Sequence, residues 1–138
     1  MTGLQTLRLL VDFGLVVLIW LVQLVIYPSF REYNRQNLMK WHAIYTTRVT
    51  YVVFPLMLGQ LILVSIQTFQ YQSLYNLLSL IIIAILWALT FALFIPLHQQ
   101  ISRGTFNDVT LKKLVIFNWW RTLLWSIVGS WGLFWVLI

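Results

Sequence analysis

The chain has 138 residues, 61% of them hydrophobic and 9% charged, with a net charge of +6 and no cysteine. That is more apolar surface than a soluble domain of this length requires, so the class is a polytopic membrane protein filling one domain. The lack of cysteine excludes disulfides, thiolate metal sites and cysteine nucleophiles. In such a chain a basic excess sets topology and meets anionic headgroups, which argues against nucleic acid as a partner.

Arg8 and Asp12 precede the first apolar run, with no clustered basic segment and no small-residue cleavage site, so an uncleaved first helix is expected over residues 7–27. Pro28 is expected to end it, since the residue before a proline avoids helical backbone. Trp20, Gln23 and Tyr27 share one face of that helix. Residues 29–43 are the most polar stretch and read as an interfacial loop leading into an amphipathic helix start. The second span is placed at 44–67. An unbroken helix would put His42 and Gln60 on one face, because their separation is five whole turns.

Residues 67–76 form an uncharged loop. The third span is placed at 77–97, ending at Pro96 with His98 just beyond. Trp87, Phe91 and Phe94 make an aromatic stripe leading to that histidine. Residues 99–113 read as a basic loop in which Gly104 turns the chain. The fourth span, 114–137, carries Asn118 and Arg121 on one face, and Trp125 continues it. An arginine inside a span costs about 2.5–3.5 kcal/mol when central, so it marks a functional site by default.

The expected fold is therefore an all-α, four-helix transmembrane bundle. Of nine Lys and Arg residues, all but Arg8 lie in or beside the 28–50 and 98–121 regions. The positive-inside rule then places those regions in the cytoplasm and both termini on the opposite side of a cell membrane, most simply a bacterial inner membrane. Alternating helices bring Tyr27, His42, His98, Asn118 and Arg121 to the cytoplasmic level. Gln23, Gln60, Trp87, Phe91, Phe94 and Trp125 are candidate ligand-binding walls.

Three chemistries could use this convergence. Two imidazoles could ligate haem axially, with Arg121 meeting a propionate. A non-haem metal is disfavoured, because no carboxylate lies at that level. In the third, His42 or His98 abstracts a proton from an aromatic or quinone-like ligand while Arg121 and Asn118 stabilise the oxyanion. Arg121 is then expected to be bonded inside the bundle, to Asn118, a carbonyl at the end of the third helix, or a ligand oxygen.

Pro96-Leu97-His98, then Arg103-Gly104, then Asn118-Trp119 with Arg121 and Trp125, together with Tyr27-Pro28, resemble the small four-helix membrane proteins grouped with fungal anthrone oxygenases. The resemblance covers most of the chain in outline. It implies a cofactor-independent oxygenase acting on polycyclic phenols, although a shared fold does not by itself imply catalysis. The shape is also similar to haem-dependent four-helix protoporphyrinogen oxidases, but the membrane-embedded His–Lys pairing of that group is missing. The non-enzymatic alternative is an accessory subunit of a larger membrane complex, or a homo-oligomer.

Overall fold

The computed structural model describes residues 1–138 as four long helices and no strand. They are α1 (Gly3–Glu32), α2 (Arg35–Gln70), α3 (Leu74–Ser102) and α4 (Asp108–Leu137). The first three are long and apolar enough to cross a membrane. The 30 residues of α4 extend about 45 Å at 1.5 Å per residue, more than a hydrocarbon core of about 30 Å, but its Asn, Arg and Trp residues make it less apolar.

Short polar side chains start the helices by accepting from otherwise unpaired N–H groups. Asn34 caps α2 through the Asn37 amide at 2.8 Å, and Ser73 caps α3 through the Asn76 amide at 3.1 Å. Thr2–Gln5 and Asn107–Thr110 close reciprocal capping boxes on α1 and α4. Gly104 turns the chain between α3 and α4 at φ +72°, where a side chain would be strained. Arg35 ties that turn to the start of α2 by donating to the carbonyls of Gly104 and Phe106.

Three expected boundaries shift. Residues 35–43 are helical, so α2 begins well before residue 44 and places His42 inside a helix. Neither Pro28 nor Pro96 ends its helix. Each is preceded by one π-helical segment, Val22–Ile26 before Tyr27-Pro28 and Thr90–Phe94 before Ile95-Pro96. The wider i→i−5 bonding, Tyr27 N–H to Val22 O and Ile95 N–H to Thr90 O, accommodates a ring that lacks a donor and crowds the preceding turn. Helical backbone therefore continues through His98 to Ser102.

The distribution of side chains is inverted relative to a soluble bundle. Arg8, Asp12, Gln23, His42, Gln60, Gln67, Asn118 and Arg121 are buried, while Phe13, Val17, Leu24, Val52, Phe54, Leu77, Ile116 and Leu123 are exposed. The core between is a continuous apolar cluster around Leu15, Ile19, Phe30, Leu86, Phe94, Leu114 and Trp125. Polar groups collect at two levels. One is the histidine end, beside residues 33–34 and 103–107. The other is the termini end, beside Thr2, Ile138 and residues 71–73.

Candidate functional site

At the histidine end all four helices contribute to one cluster. The last turns of α1 supply Tyr27 and Phe30, and the first turns of α2 supply His42 and Tyr45. Phe94 and His98 come from the end of α3, and Asn118, Arg121 and Thr122 from α4. Phe30 packs edge-on against both His42 and Tyr45, with ring centroids 5.7 and 5.4 Å away. Only the π-turn before Pro28 makes this alignment available. Gln23 and Tyr27 follow Ile19 at successive spacings of four, and a strict 3.6-residue period would carry them progressively off the interior face.

Four groups form an unbroken hydrogen-bonded chain. Tyr27 Oη lies 2.9 Å from His98 Nε2, His98 Nδ1 lies 2.8 Å from His42 Nε2, and His42 Nδ1 lies 3.2 Å from Ser102 Oγ. Tyr27 and His42 are buried and Ser102 is exposed, so the chain connects the bundle interior to the surface. Every member can both donate and accept.

The two imidazoles are stacked 5.0 Å apart and bonded to each other directly. Metal–nitrogen bonds of about 2.0–2.1 Å hold two nitrogens on one metal roughly 3.3–4 Å apart. A haem must also fit its macrocycle between two axial rings. The 2.8 Å contact fits neither, and no group of three His, Cys, Asp or Glu side chains forms a metal-holding cluster elsewhere.

Arg121 is buried and makes no ion pair. Its guanidinium lies over Phe94 at 4.3 Å and over Trp125 at 5.2 Å, and its charge faces Tyr27, Tyr45 and His98. The expected bond to Asn118 is not formed. Asn118 donates to Gln23 Oε1 at 3.0 Å, an acceptor it shares with Thr122 at 2.9 Å, while Gln23 donates to the Val115 carbonyl at 3.0 Å. This leaves Asn118 Oδ1 and Arg121 Nε buried without partners, one helical turn apart. Buried polar atoms are rarely left so, and each exception calls for an explanation.

The remaining sequence candidates divide. Gln23, Tyr27, Phe94 and Trp125 join this cluster. Gln60 does not, because its 18-residue offset from His42 is about 27 Å along α2. It accepts from Trp125 Nε1 at 3.1 Å and donates to Asp12 at 2.7 Å, towards the termini end. Trp87 stacks on Phe91 and meets Phe54 edge-on, part-buried against the core, while Phe91 is 58% exposed, so of the stripe it is Phe94 that joins the cluster.

Sequence reasoning missed Tyr45, Phe30, Ser102 and Thr122. Ser102 stands four residues after His98, a spacing that carries meaning only once α3 is known to continue past Pro96. It also passed over the buried Arg8–Asp12 pair at the termini end, although an i,i+4 ion pair on an apolar helix is itself a signal.

No family model matches this chain, and no curated protein or solved structure matches it.

Proposed function

We propose that this chain is a multi-pass cell-membrane oxidoreductase of oxygenase-like type that removes a proton from an aromatic or quinone-like ligand beside Tyr27. The observation that carries the reading is the relay from buried Tyr27 to exposed Ser102, set beside an arginine without an ionic partner. The proton count is simple. A ligand proton passes to Tyr27 Oη, the Tyr27 proton to His98 Nε2, the His98 Nδ1 proton to His42 Nε2, and the His42 Nδ1 proton to Ser102, which releases one outward. All four groups end neutral. The ring anion left behind faces Arg121, a preorganised positive charge in a low-dielectric site. With an anthrone-type ring and dioxygen as oxidant, the ring anion adds oxygen, one proton returns through the relay to the peroxide, and the CH2 becomes a carbonyl, one oxygen atom entering the product and the other leaving as water.

Tyr27, Phe94 and Trp125 fill the space beside Arg121. Entry therefore uses a shift of α1 or α3 at its π-turn, a feature common at functional sites. The reading includes the charge-based orientation, with the histidine end in the cytoplasm. A reporter fused after Ile138 should work only outside the cytoplasm, and cytoplasmic activity would reverse the orientation.

The decisive experiment is oxygen uptake by the detergent-purified protein supplied with an anthrone-type phenol. Wild type should consume oxygen above the uncatalysed rate, and His98→Phe and Arg121→Lys should each reduce that excess at least tenfold. No excess in well-folded wild type would end the enzymatic reading. The lower apolarity of α4 and its exposed Trp119 and Trp120 favour a second reading, an accessory subunit whose partner covers that helix. Purification of a stoichiometric complex protecting Trp119 and Trp120 would select it.

A further inference from the structure

A cavity lies at the termini end, away from the histidines. It measures about 650 Å³, within the range of small-molecule sites. Tyr71, Tyr75 and Trp135 form aromatic walls, and Arg8 and Asp12 lie at its base. Both base residues are more than nine-tenths buried. Arg8 Nη1 donates to Gln67 at 2.6 Å and to Asn76 at 2.9 Å, its guanidinium lies 4.4 Å from the Tyr75 ring centre, and Asp12 Oδ1 accepts from Gln60. The other edge of the pair is incomplete. Arg8 Nε, Arg8 Nη2 and Asp12 Oδ2 have no hydrogen-bond partner, although Arg8 Nε stands 3.5 Å from Asp12 Oδ2 as an ion pair.

We propose that this cavity binds an uncharged amphiphile headed by a single hydroxyl group, taken from the surrounding bilayer. Three observations converge on that chemistry. The base offers unpartnered guanidinium N–H groups beside one unpartnered carboxylate oxygen, and a hydroxyl bridges them by accepting from Arg8 and donating to Asp12. The two base charges cancel and no other lining residue is charged, so an anionic head meets Asp12 and a cationic head meets Arg8 with no compensating charge to spare. Apolar Leu4, Ile66 and Val136 also line the cavity, where an alkyl chain can lie. Gly132 keeps the base open, because a Cβ there would come within 3.7 Å of Asp12 Oδ2 and 2.9 Å of the Tyr75 hydroxyl.

The inference rests on the membrane reading above but not on catalysis at the histidine end. A chain recovered in the aqueous fraction would fail the membrane reading before labelling begins. The test is photolabelling of the protein in lipid nanodiscs with a diazirine-bearing long-chain alcohol. Labelled peptides should fall at Leu4–Leu9, Tyr71–Asn76 and Gly132–Val136. An unlabelled alcohol and a diacylglycerol should both compete, their ranking separating a free alcohol from a lipid as the source. A fatty acid anion and an alkylamine of equal chain length should compete at least tenfold less well. Gly132→Val should reduce labelling at least fivefold, and His98→Phe should leave it unchanged. Labelling spread evenly over lipid-facing residues would overturn the proposal, as would equal competition by the anion or the amine. If Gly132→Val does not fold, the wild-type map and competitor order decide alone.

Discussion

The two ends of the bundle each bury an arginine against an aromatic ring at nearly the same distance, Arg8 on Tyr75 at 4.4 Å and Arg121 on Phe94 at 4.3 Å. Their surroundings differ. Arg8 has a carboxylate one turn away and two side-chain amides on one nitrogen, so it is a neutralised, cross-linked element joining α1, α2 and α3. Arg121 has two π faces, an unpartnered Nε and a row of neutral tautomeric groups. A charge held without a counter-charge retains its field, and that field falls on the relay. On the proposed function the first arrangement serves architecture and the second serves chemistry, which leads to opposite mutational behaviour.

The largest stability effect is expected at Asp12. Asp12→Ala leaves Arg8 buried without its carboxylate, and breaking such a pair costs about 3–5 kcal/mol. Equilibrium unfolding in mixed detergent measures it. Gln23→Leu comes next, since it strips an acceptor from both Asn118 and Thr122 at about 1–3 kcal/mol. Arg121→Met should fall within about 1 kcal/mol of wild type, because removing a charge that has no ionic partner orphans nothing and roughly offsets the lost cation–π contacts. Arg121→Lys should likewise fold yet lose oxygen uptake, since an ammonium does not replace a planar stacked fork. A cost at Arg121→Met equal to that at Asp12→Ala would break the comparison. Trp125→Phe, which removes the indole donor to Gln60, should cost only about 0.6 kcal/mol, a typical interhelical bond in a membrane.

The smallest effect concerns the surface ion pairs at the histidine end. The Asp108 carboxyl is held below its ordinary value, first by the hydrogen bond from Lys112 and then by Arg31. A depressed folded value means that stabilisation is present above the ordinary carboxylate range and is lost as pH falls through the folded value. Wild type should melt slightly above Asp108→Asn at pH 7, and the two should coincide in acid and in high salt, where exposed pairs are screened.

Hydropathy and alternation made the four helices legible from the residues, along with the gathering of Tyr27, His42, His98, Asn118 and Arg121 at one level. The fine structure of the site was not legible. Tyr27-Pro28 and Ile95-Pro96 read as helix ends because proline's backbone rule is local, whereas the π-turns that absorb these prolines depend on packing along the whole helix. Asn118 reads as one of three partners for Arg121 because the two share a face. The competitor, Gln23, lies on another helix, and spacing within one helix carries no information about it. Arg8 and Asp12 read as residues flanking a span, yet they form part of the core.

A π-turn amounts to one surplus residue in a helix, so α1 and α3 each contain a phase correction recorded in chain length rather than in residue type. Winding Val22–Ile26 as ordinary α-helix with every residue kept would turn everything after it by about 100°. Tyr27 would swing out of the interior although no residue of the relay had changed. The same rewinding of Thr90–Phe94 would displace His98. In these two windows one residue should be removable together with its π-turn, leaving Tyr27 or His98 on its face, whereas one added residue should turn that side chain outward.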